Sequence, residues 1–175
     1  EEVVPAIRMD TRSDEIEISQ IIGGDGTVGQ FGSGITTLSG TNTYSGGTVI
    51  FDGTLRMGSA GALGTPGDLF QQGGTLDLNG FNLTVTSLQG GAGQIGNFLT
   101  DTASILTLDI DCGCSIYGGQ IVDGGGTLSL VKNGIGEVIL LGDNSYSGGT
   151  TLNDGTIVTG SETALGTGAF VQTGG

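Results

Sequence analysis

Apolar and polar residues alternate in short runs along this chain. Thr75–Asn79 reads TLDLN, Phe81–Val85 FNLTV, Ile105–Ile110 ILTLDI and Thr127–Val131 TLSLV. A period of two over four to six residues predicts half-buried strands. Between the runs lie GG, DG, NG and GDN clusters, the chemistry of tight turns. No segment spaces its apolar residues by three and four over a dozen positions, so almost no helix is predicted.

The pattern repeats at long range. Sliding the chain by 102 residues lays Gly40–Thr65, GTNTYSGGTVIFDGTLRMGSAGALGT, over Gly142–Thr167, GDNSYSGGTTLNDGTIVTGSETALGT, with 16 of 26 positions identical. A second slide, by 67, lays Ile16–Gln30 over Leu83–Asn97, with Ile16, Ile18, Ile21 and Val28 meeting Leu83, Val85, Leu88 and Ile95. The N-terminal stretch is therefore a worn copy of the same strand unit. One domain spans 1–175: a degenerate part over 1–34, a first strong repeat with connecting strands over 35–97, a lead-in over 98–137, and a truncated second strong repeat over 138–175.

Self-similarity of this kind predicts a solenoid, whose rungs bury their apolar sides only by stacking. Rungs of roughly 20 to 25 residues give about seven or eight in this chain. The expected core is aliphatic: Val49, Leu55, Leu76, Leu78, Leu83, Val85, Leu106, Leu108, Leu128, Leu130, Leu140, Leu152 and Ile157. Glycine supplies the corners, both where φ turns positive and where stacked backbones crowd. The rival architecture is an antiparallel sandwich or barrel, which does not call for so long a repeat.

The wording of the unit resembles the autotransporter-associated β-strand repeat, found in passenger domains of type V secretion proteins. Lys132, Gly134, Gly136, Asn144, Tyr146, Gly148, Gly149, Thr150, Gly155 and Thr156 stand at the family's motif positions. In the earlier copy Asn42, Tyr44, Gly46, Gly47, Thr48, Gly53, Thr54 and Leu55 do so, while Gln30 replaces the family's lysine. The resemblance implies an all-β, right-handed parallel β-helix at the bacterial cell surface or in the extracellular space. It casts the Asn-x-Tyr-Ser-Gly-Gly-Thr phrase as architecture: a turn, a tyrosine packed on the wall and the entry to a strand.

Charge narrows the partners. The net charge is −14, and Arg8, Arg12, Arg56 and Lys132 are the four basic residues. Nucleic acid, which needs Lys and Arg for its phosphates, is not expected as a partner. Nor does the segment contain the apolar run of about twenty residues that a membrane helix requires.

Candidate chemistry is sparse. Cys112 and Cys114 flank Gly113; a local disulfide, free thiols and a bond between chains all remain open, since closing the bridge requires a turn at Gly113. Asp109 and Asp111 beside them lack the histidines and spacing of a metal site. Gly23–Phe31 lacks the six-position rhythm of glycine-aspartate calcium repeats. Asn82–Thr84 fits a glycosylation sequon, a match near chance. No catalytic residue, cofactor or metal ligand is expected. The leading function is a non-enzymatic structural or adhesive passenger segment, a rigid stalk with an unnamed host or surface ligand. The alternatives are a fibre subunit that stacks end to end on its own copies, and a β-helix that binds or cleaves polysaccharide.

Overall fold

The computed structural model describes residues 5–174, with side chains from Ile7 onward. The chain winds through about eight rungs. The first three rungs carry β1 (Pro5–Met9) and β2 (Glu15–Ile18), β3 (Thr27–Gln30) and β4 (Ile35–Leu38), then β5 (Thr48–Ile50) and β6 (Thr54–Met57). The next three hold three strands each. These are β7 (Asp68–Gln71), β8 (Thr75–Asp77) and β9 (Leu83–Val85); β10 (Ser87–Gln89), β11 (Gln94–Asn97) and β12 (Ala103–Asp109); and β13 (Cys114–Tyr117), β14 (Gln120–Gly124) and β15 (Thr127–Asn133). The last two carry β16 (Glu137–Leu140) and β17 (Thr150–Leu152), then β18 (Thr156–Thr159) and β19 (Phe170–Gln172).

Every strand pairing is parallel, which disposes of the antiparallel rival. Three faces result. The first stacks β1, β3, β5, β7 and β10 and continues through the Gly90–Tyr117 bridge into β13, β16 and β18. The second stacks β2, β4, β6, β8, β11 and β14, and the third β9, β12, β15, β17 and β19. Rung length runs from 19 residues, Leu69 to Leu88, to 27, Gly90 to Tyr117. Among the described residues no helix is long and apolar enough to cross a membrane.

Alternation fixes which side chains enter the rod. In β4, β6, β12, β15 and β16 buried residues alternate with less buried ones, as period two requires. Leu38, Leu55, Leu76, Leu106, Leu108, Leu128, Leu130 and Leu140 lie fully buried in one continuous cluster. The aliphatic expectation needs three amendments. Val49 and Leu152 are buried outside that cluster, and Ile157 packs against it only partly buried. Tyr44, Tyr117 and Tyr146 are the largest fully buried side chains, so the interior is not purely aliphatic.

Two of the four basic side chains tie rungs together from outside. Arg56 on β6 reaches down to Glu15 on β2 (2.7 Å) and up to Asp77 on β8 (3.0 Å). Arg8 lies 4.4 Å from the ring of Phe31, which stacks on Phe51 one rung above at 4.8 Å. That spacing is the rise between rungs.

Candidate functional site

The side chains singled out by the repeat are corner devices. Asn42 is buried, and its amide joins three rungs at once. Its Oδ1 accepts from the Ile22 N–H below (2.8 Å), and its Nδ2 donates to the Ala62 carbonyl above (2.6 Å). Asn144 does the same between Ile121 (2.7 Å) and Ala164 (2.6 Å). A corner has no strand partner for these backbone groups, and an unpaired buried N–H or C=O is costly. Asparagine carries a donor and an acceptor on one short stem, which is what the two-sided bridge demands.

The tyrosine two residues on completes the corner. The Tyr44 hydroxyl hydrogen-bonds Thr48 Oγ1 (2.8 Å), and that of Tyr146 bonds Thr150 Oγ1 (2.6 Å). Each ring fills the inside of the turn, and burial pushes both phenols up to about 12. The residue stacked over each ring is glycine. A Cβ on Gly64 would meet the Tyr44 carbonyl at 2.5 Å, and one on Gly166 the Tyr146 carbonyl at 2.4 Å. Thus Asn, Tyr, Thr and a glycine one rung later form a single interlocking corner, used twice.

A second kind of corner hangs on a buried cation or amide. Lys132, fully buried on β15, donates from Nζ to the carbonyls of Asn133, Gly134 (2.7 Å) and Asp154. Burial pushes its ammonium down, while Asp154, Asp109 and Asp111 push back. Gln30 at the matching place on β3 donates to the carbonyls of Gly32 (2.8 Å) and Gly34 (3.3 Å). The job is donation to inward carbonyls, so an amide replaces the ammonium. Gln71 repeats the device, donating to Gly74 and Gln94 (both 3.1 Å) and accepting from the Tyr117 hydroxyl (2.8 Å). Sequence reasoning missed Gln71 and Tyr117; the signal was a polar residue at an inward position of an alternating strand.

The two phrase copies do not share a face. Gly40–Ser45 lies in the turn column under β9, on the third face, whereas Gly142–Ser147 lies over β14, on the second. A cleft of about 160 Å³ opens where the first turn column gives way to strands, lined by Gly47, Ala60, Leu63, Asn82 and Val85 among others. Cys112 and Cys114 are exposed free thiols in this structure. Asp109 and Asp111 lie near Lys132 and offset part of the fall that burial imposes on its pKa. Among the described residues no three acidic, cysteine or histidine side chains converge.

Comparison with known proteins agrees with this geometry. Residues 30–57 and 130–158 each match the passenger-associated-transport-repeat family. Both matches take in the buried Gln or Lys, the Asn-Tyr corner and the two strands that follow it. Two segments of the chain are thus similar to autotransporter passenger repeats. Over 155 residues, 87% of its length, it is 35% identical to the adhesin BmaC autotransporter of Brucella suis biovar 1 (strain 1330). The match covers 4% of that relative, so the repeat chain spans a small fraction of the protein it resembles. No solved structure matches it.

Proposed function

We propose that this passenger segment is a non-enzymatic stalk, a rigid spacer within a surface-exposed or secreted adhesin. The observation that carries the reading is where the buried polar groups go. Asn42, Asn144, Gln30, Gln71 and Lys132 all bind backbone across or within corners rather than facing a cleft. Eight rungs at about 4.8 Å make a rod of about 38 Å, and its parallel ladders resist bending along the axis. The relative is an adhesin, and adhesion enters here as the role of the larger passenger that the stalk serves.

A swap tests the stalk. In the parent passenger, the segment is replaced by a passenger-repeat segment of equal rung number and different surface. Retained surface display and adhesion support the spacer. Lost adhesion with display intact refutes it and makes the segment itself the adhesive surface. Sedimentation of the purified chain across concentrations separates the alternative of an end-stacking fibre, which requires polymers that grow with concentration. Turnover of acidic polysaccharides would replace the stalk with the enzyme reading.

A further inference from the structure

The corner that joins β12 to β13 holds both cysteines of the chain. The backbone bends at Cys112 and Gly113, and Gly113 takes φ 76 with nothing near the place of a Cβ. Residues two apart in a straight strand hold their Cβ atoms about 7 Å apart, whereas a disulfide needs about 3.8 Å. The bend at Gly113 departs from that straight geometry. The corner is also one residue longer than the corner stacked on it. Leu108 pairs with Lys132 and Cys114 with Glu137, leaving five residues between the lower pair and four between the upper. The surplus residue lies in the exposed loop that carries the thiols.

We propose that Cys112-Gly113-Cys114 is a reversible dithiol–disulfide site that exchanges with low-molecular-weight disulfides. The Cys112 thiolate attacks one sulfur of such a disulfide, forming a mixed disulfide and releasing one thiolate, which takes up a proton. The Cys114 thiolate then attacks the Cys112 sulfur, closes the ring and releases the second thiol. Two protein thiols are oxidised and one disulfide is reduced to two thiols. Cys112 leads because the Cys114 thiol donates to Glu137 Oε1 (3.4 Å). Local desolvation and then that carboxylate hold the Cys114 pKa up.

The site is a reactive handle rather than a staple. Its loop is too short to restrict the unfolded chain appreciably. The corner is already fixed without sulfur, by Gly136 N–H to Ile110 O (2.7 Å) and Glu137 N–H to Gly113 O (3.2 Å). Exposed, strained disulfides are the labile and exchangeable ones.

The test titrates the purified chain with reduced and oxidised glutathione, reading intact mass and free thiols. The expected product is a monomer lighter by two hydrogens, restored by excess reduced glutathione, with unchanged far-UV circular dichroism. Two thiols that persist in oxidised glutathione would overturn the proposal. So would chains linked to each other, or a bond that reduced glutathione fails to open. Gly113→Val, which blocks the positive φ where nothing is packed, is expected to stop at the glutathione adduct on an intact rod. Ring closure at the wild-type rate in that variant would remove the bend from the explanation.

Discussion

At the scale of single residues, the repeated phrase is explained by unsatisfied backbone. Asn144 supplies the Ile121 N–H and the Ala164 carbonyl with their partners inside a dry corner. Asn144→Ala leaves both groups buried and unpaired, so we expect a loss of about 2–4 kcal/mol, read from urea unfolding. A change below half a kcal/mol would mean that water enters the corner and the bridge is dispensable. The tyrosines give a pH signature. Tyr44 and Tyr146 titrate in the fold at about 12 against an ordinary 10.0. A folded pKa above the unfolded one favours the native state fully below pH 10, and that contribution is lost as pH rises towards 12. Burial pushes Tyr117 in the same direction. Phenolate absorbance and sheet circular dichroism are therefore expected to change together in one cooperative step above pH 10. Phenolate appearing near 10 on an intact sheet would contradict the buried corner.

At the scale of the corner, two forces select glycine, and they separate experimentally. Gly142, the first residue of the second phrase, would bring a Cβ to 1.9 Å from the Gly119 carbonyl of the rung below. Gly24 has φ 100 and nothing within 4 Å. Gly142→Ala must push two rungs apart and is expected to cost about 3 kcal/mol or more, whereas Gly24→Ala costs about 1 kcal/mol in backbone strain. Equal thermal shifts for the two would show that stacking contact does not set the corner. The buried-cation corner offers a parallel comparison. Because Gln30 already does in the first copy what Lys132 does in the second, Lys132→Gln is expected to stay within about 1 kcal/mol of wild type. Lys132→Met, which strips the donors from inward carbonyls, is expected to lose about 2–4 kcal/mol. Denaturation midpoints of the two variants decide it, and a Met variant as stable as the Gln variant would sink the donor account.

At the scale of the molecule, alternation and glycine punctuation made the stacked, all-parallel fold legible, and the 102-residue slide located both matched segments. Which face each segment occupies was not legible, because it depends on counting every strand and turn between them. The short strands β9 and β10, of three residues each, carry too little alternation to be counted from sequence. The corner of Cys112 was open for a related reason: whether two residues at i and i+2 diverge or converge is set by the backbone dihedrals around the residue between them, and sequence shows only that Gly113 permits a bend. Counted in the structure, fourteen strand or turn positions separate the two phrases, which is four turns and two thirds of the three-faced rod. The copies therefore look outward in different directions. Thr43 and Ser145 are exposed equivalents in the two phrases. Spin labels at Thr43→Cys and Ser145→Cys, with Cys112 and Cys114 changed to Ser, measure the offset. Five rungs on a single face would place the sites about 24 Å apart. The rotation adds the width of the rod to an axial offset of about 22 Å, so we expect a clearly longer separation, near 30 Å. A distance at or below 24 Å would put both phrases on one side and undo the three-face register on which the whole stacking order rests.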